Sequence, residues 1–238
     1  MAYGQPNRTA AGAQTDAAAL DAGLRSYMLG IYNYMGLGLA LSAIVALAVV
    51  AVPALTSVVV FSPLRLLFVL APLGIILLMS FRAQTMSAGT IKVLYWTLCA
   101  TMGASMSALL IIYEPTSVVK TFFITAAAFG ALSLYGYTTK RSLSGVGSFA
   151  IMGLIGIILA SIVNIFLASS MLGFIISVAG VLIFSALIAF DTQRLKESYY
   201  DGMNADDQTK LSVFGAMSLY INFVNLFQFL LMFLGDRE

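Results

Sequence analysis

Asp191 is the residue of this chain best placed to do chemistry. It follows the apolar run Ala186-Leu187-Ile188-Ala189-Phe190 directly, and Arg194 follows it by one helical turn. The other nine carboxylates, Asp16, Asp21, Glu114, Glu197, Asp201, Asp206, Asp207, Asp236 and Glu238, fall in tails and loops. An ionisable group inside a membrane helix costs about 2.5–3.5 kcal/mol at the helix centre on insertion scales and less near an end. Such a carboxylate can hold or release a proton, or bind a cation. Two readings stand side by side. In one, Asp191 ends a helix at the interface and pairs with Arg194. In the other it is a proton-sensitive gate, closed by a cation within the bundle. Arg82, at the end of the apolar run 66–81, is a candidate for that cation; it could equally anchor its helix by snorkelling to the headgroups.

A second polar pattern lies near the C-terminus. Asn222 and Asn225 are three residues apart and share a helix face, which Gln228 continues with some angular drift. Amides in hydrocarbon need partners, so this face reads either as interhelical hydrogen-bonding glue or as the wall of a hydrated path.

What is missing narrows the chemistry further. The chain has no histidine, so the commonest general base, metal ligand and proton switch near neutral pH is absent, and proton sensing must fall to carboxylates. A Ser-His intramembrane protease and a histidine-based metalloprotease are excluded on the same ground. Cys99 is the single cysteine and sits within an apolar stretch, where it reads as a packing residue. No Walker-type or dinucleotide glycine loop is present, and the last span, expected at 211–234, has no lysine for a retinal Schiff base. No enzymatic activity and no cofactor are expected. The net charge of +2 is spread thinly, without the basic stripe that nucleic-acid binding requires.

The elements that must position these groups are membrane helices. With 61% hydrophobic and 9% charged residues, the chain lies far from the soluble average of roughly a quarter charged. Six long stretches carry no charge, and the longest, 142–190, accommodates two crossings of the roughly 30 Å hydrocarbon core. Proline and glycine punctuation divides them into seven helices near 28–51, 64–82, 92–112, 117–138, 147–168, 171–191 and 211–234. Residues 1–25 are expected to form a flexible cytoplasmic tail ahead of a transmembrane domain over 26–238. With the N-terminus inside, nine Lys and Arg residues face the cytoplasm and three the opposite side, which accounts for all twelve. Small residues at Gly36, Gly38, Ala40, Gly103, Ser107, Gly153 and Gly156 are expected to let helices approach closely. Tyr95 and Trp96 read as interfacial anchors. No pair of Gly/Pro-interrupted helices in matching halves points to a transporter site at the midplane.

Three segments together resemble the Bax inhibitor-1 (transmembrane Bax inhibitor motif) family in its bacterial inner-membrane branch. They are Tyr32-Asn33-Tyr34-Met35 with the glycines that follow, Phe190-Asp191-Thr192-Gln193-Arg194-Leu195-Lys196, and Ser218-Leu219-Tyr220-Ile221-Asn222-Phe223-Val224-Asn225-Leu226-Phe227. The resemblance implies an all-α integral membrane protein with six helices around a central, polar helix seven. It also implies a pH-sensitive calcium leak, in which a pair of aspartates from helices six and seven shares a proton and latches to an arginine on helix two. Asp191 matches the first aspartate and Arg82 the arginine. The second aspartate is replaced by Asn222, which can hydrogen-bond but cannot titrate, so any pH response rests on one carboxylate. The partners implied are the lipid bilayer, Ca²⁺ and, in the alternative reading, another membrane protein. In that alternative the chain is a non-conducting regulator of a membrane-bound quality-control protease, with the N-terminal tail as its handle.

Overall fold

The computed structural model describes residues 10–200 and 202–236, with side chains from residue 21 onward. Seven long helices dominate: α1 (Ala10–Ala51), α2 (Arg65–Arg82), α3 (Ala88–Met106), α4 (Pro115–Thr138), α5 (Ser144–Leu167), α6 (Ser170–Glu197) and α7 (Ala205–Leu234). Each contains a stretch long and apolar enough to cross a membrane. Short helical turns at Pro53–Thr56 and Leu109–Ile112 and a π-helical turn at Ser57–Phe61 complete the connections. The described residues form helices and no strand.

Local chemistry explains the helix ends. The side chains of Ser87, Ser169 and Asn204 accept hydrogen bonds from the backbone N–H groups of Thr90, Leu172 and Asp207, capping α3, α6 and α7. Pro115 opens α4, where its missing N–H costs nothing. The tight turn between α5 and α6 passes through Ala168 in the left-handed region, at φ 47°, and Asn164 Oδ1 accepts from Ser169 N at 3.0 Å.

Two boundaries differ from the sequence expectation. Helix α1 begins at Ala10 rather than near residue 28 and runs unbroken through Arg25; residues 1–9 of the expected tail lie outside the described residues. Helix α6 does not stop at Asp191 but continues to Glu197. Arg194 and Lys196 in its last turn complement the negative end of the helix dipole and help the helix persist there.

Helix α7 is the most buried span, with 56% of its apolar window inside the protein against 11% for α2 and α5. It packs directly on α1, α3, α4 and α6, while α2 makes its principal contacts with α3, and α5 with α6. The outward faces carry large apolar side chains such as Phe81, Ile165 and Phe166, an arrangement suited to hydrocarbon and costly in water.

Close approach is concentrated at particular glycines. A Cβ on Gly103 of α3 would meet the backbone of Ser42 in α1, and one on Gly136 of α4 would meet the carbonyl of Ala189 in α6. Gly36 and Gly156 depart from the expected packing role, since a Cβ on either would meet no atom within 4 Å. Tyr95 is corrected from interfacial anchor to core residue: it is fully buried and donates from its hydroxyl to Tyr34 O at 2.8 Å. Cys99 is buried, as its apolar setting led one to expect. Gly136→Leu should therefore destabilise the purified protein by about 1–3 kcal/mol through overpacking against α6. Gly156→Leu should change stability by less than about 0.5 kcal/mol, as surface substitutions usually do. Thermal unfolding followed by size-exclusion chromatography in detergent measures both.

Candidate functional site

The site is built where the last two turns of α6 meet α7. Asp191 is 6% exposed, and three groups converge on its carboxylate. Ser218 Oγ donates to Oδ2 at 2.6 Å and Asn222 Nδ2 donates to the same oxygen at 2.8 Å, both from α7. Arg194 Nη2 lies 2.9 Å from Oδ1 and comes from one turn further along α6. Ser218 and Asn222 are four residues apart, so both point from one face of α7. Asn222 Nδ2 can only donate, so Oδ2 accepts that bond. Burying the carboxylate is tolerable because each oxygen has a partner.

The residues after Asp191 each reach a different element. Thr192 Oγ1 lies 2.8 Å from the Ile188 carbonyl and 2.9 Å from Ser133 Oγ, which in turn lies 2.8 Å from Tyr32 OH. With one proton per hydroxyl, the chain of donors runs from Tyr32 of α1 to Ser133 of α4 to Thr192, and ends on the α6 backbone. Gln193 is buried and uses both ends of its amide on the turn between α4 and α5: Oε1 accepts from Leu143 N at 2.7 Å and Nε2 donates to Arg141 O at 2.9 Å. Lys196 Nζ donates to Tyr137 O at 2.9 Å and lies 5.1 Å from the centre of the Tyr137 ring. Arg194 also stands over the Phe190 ring, 5.6 Å from its centre, which fixes the guanidinium beside Asp191.

The structure gathers only part of the expected constellation. Asp191 and Asn222 meet as anticipated. Arg82 is exposed at the end of α2 and lies outside this contact; the cation on Asp191 is Arg194. The polar face of α7 does not act as one unit. Asn225 Nδ2 donates to Ile221 O of its own helix at 2.8 Å, and Gln228 is half-buried. Ser218 was missed by sequence reasoning, although its four-residue spacing from Asn222 was a readable signal. A second polar knot was also missed. Ser42 Oγ lies 2.8 Å from Cys99 O and 2.7 Å from Tyr220 OH, so it donates to the carbonyl and accepts from the tyrosine, tying α1, α3 and α7 together away from Asp191.

Among the described residues, no three of the Asp, Glu and Cys side chains gather as a metal site. A cation reaching Asp191 would meet a single carboxylate rather than the six to eight oxygens of a calcium-holding cage.

Residues 24–238 match the family model described as inhibitor of apoptosis-promoting Bax1. An uncharacterized protein of Caulobacter vibrioides is 49% identical over 232 residues, covering 92% of each chain. The Rickettsia prowazekii protein RP147 is 44% identical over 218 residues, again covering 92% of both. The inner membrane protein YbhL of Escherichia coli is 40% identical over 220 residues, covering 91% of this chain and 94% of its own.

Two donors on one oxygen should be energetically coupled. Asn222→Ala and Ser218→Ala are each expected to cost about 1–3 kcal/mol by leaving a buried charge under-satisfied. The double variant should depart from additivity by about 0.5–3 kcal/mol, as residues of one network do. Equilibrium unfolding of the four purified proteins checks this, and strict additivity would show that the two donors act on separate groups.

Proposed function

The chain belongs to the Bax inhibitor-1 family of membrane proteins, and on that premise we propose that it is a proton-sensitive cation leak, with calcium the expected ion, whose closed state is held by Asp191. The observation that carries this reading is the convergence of Ser218, Asn222 and Arg194 on one buried carboxylate at the junction of α6 and α7. On this reading those bonds are made to the ionised form. A proton on Oδ2 would face Asn222 Nδ2, which can only donate, and loss of the charge would weaken the acceptor on which both α7 groups converge. Protonation therefore loosens α6 from α7, and raising the pH restores the contact.

This gate differs from a two-carboxylate sensor. With Asn222 opposite Asp191, one proton changes the site from charged to neutral in a single step, whereas two carboxylates sharing a site titrate in two coupled steps. Arg194 pairs with Asp191 one turn away within α6, so it balances the charge without joining two helices as the arginine of the family resemblance would.

A second reading, a non-conducting regulator of another membrane protein, draws support from the helical extension of α1. That helix has 42 residues, well beyond the roughly 20 that a crossing needs. Removing residues before Arg25 should then abolish regulation while leaving the seven spans folded.

Flux measurements separate the two. In liposomes loaded with a calcium-sensitive dye, the wild type should pass Ca²⁺ about tenfold faster in mildly acidic than in mildly alkaline buffer, the change that about 1.4 kcal/mol of gate free energy produces. Asp191→Asn should lose that pH dependence, and Arg82→Gln should keep it. Flux equal to that of protein-free liposomes at every pH would reject the leak.

A further inference from the structure

Helices α1 and α4 have no close-packed seam; the Tyr32–Ser133 hydrogen bond bridges a groove between them. The groove encloses about 520 Å³ and is walled mainly by apolar groups, with Met28, Leu29 and Tyr32 on one side and Phe129, Gly130 and Leu134 on the other. Its volume falls within the range of roughly 300–1,000 Å³ typical of small-molecule sites. Both walls continue into exposed Leu29 and Leu134, so the groove opens sideways toward hydrocarbon.

One end of the groove is different. There Arg25 and Tyr137 form the lining. Arg25 is exposed and has no ion pair among the described residues. Lys196 stands against the ring and carbonyl of Tyr137, which brings a second cation to the same end. Among the described residues, no carboxylate lines the groove. This end is the one that the charge count assigns to the cytoplasm, the face on which basic pockets between membrane helices bind anionic headgroups.

We propose that the groove between α1 and α4 binds one anionic phospholipid, its acyl chain lying along Leu29, Phe129, Gly130 and Leu134 and its phosphate held by Arg25 with Lys196. The aromatic and hydroxyl groups of Tyr137 sit at the level where headgroup and chain meet, a common place for tyrosine. The open space at Gly130 is part of the fit: a Cβ there would meet no protein atom within 4 Å, so the room beside the helix is left for the lipid. The site is separate from the Asp191 latch and does not depend on the leak reading.

Native mass spectrometry of the full chain in detergent, titrated with phosphatidylglycerol or phosphatidylcholine of identical acyl chains, tests the proposal. The wild type should retain one phosphatidylglycerol in preference to phosphatidylcholine. Arg25→Gln should lower that retention about fivefold, the effect of losing one basic contact at a membrane surface. Gly130→Phe, or the smaller plug Gly130→Leu, should displace the chain and reduce retention of the lipid as well, while Lys92→Gln, which alters a cation of α3 outside the groove, should leave it unchanged. Unaltered elution volume and helical circular dichroism establish that each variant is folded. Equal retention of the two lipids, wild-type retention by the Arg25 and Gly130 variants, or an equal loss in Lys92→Gln would overturn the proposal. So would a lipid-free dimer broken by Gly130→Phe, which would assign the groove to a second copy of the chain.

Discussion

A carboxylate charge in an apolar interior must be surrounded by donors, and the junction of α6 and α7 is organised around meeting that demand for Asp191. An unpaired ion there would be costly enough to expel the helix end or neutralise the group. Ser218 and Asn222 answer from α7, and Arg194 answers from α6 itself. The partners come from two helices, so the same bonds that satisfy the charge also join the most buried helix to its neighbour. On the proposed reading, charge state and helix packing are linked, and a proton on the carboxylate alters the interface.

The surrounding residues keep this linkage local. Thr192 ties α6 to α4 and α1 through Ser133 and Tyr32, and Gln193 holds the turn between α4 and α5 at both of its amide ends. None of these bonds involves a titratable carboxylate. If Asp191 lets go of α7, these contacts still hold α6 to the other side of the bundle. The backbone approach of α6 to Gly136 of α4 points the same way, since it too is independent of charge. The movement expected on protonation is accordingly a parting of α6 from α7 rather than a general loosening.

The seven spans were legible because uncharged runs of the needed length leave little choice in a bilayer, and the value of Asp191 followed from its isolation among apolar neighbours. The pairing of Asp191 with Asn222 was legible through the family resemblance. Its cation was harder to assign. Arg194 and Arg82 both stood at helix ends, and only the continuation of α6 to Glu197 brings the exposed Arg194 onto Asp191 one turn away. Ser218 and Gln193 were hidden for a different reason: single polar residues in such helices are ordinary, and what distinguishes these two is the partner they meet from another element. Tyr95 shows the converse failure. Its position near a helix start suggested the headgroup region, but packing against Tyr34 and Tyr220 takes it into the core.

Hydrogen exchange of the backbone amides in 188–197 and 214–224, corrected for intrinsic rates and followed by mass spectrometry, tests the link between the Asp191 charge and the α6–α7 contact most directly. The wild type should be protected in alkaline buffer and lose protection in both segments on acidification, while Asp191→Asn should be weakly protected at either pH. The same protection in both proteins at both pH values would contradict the account.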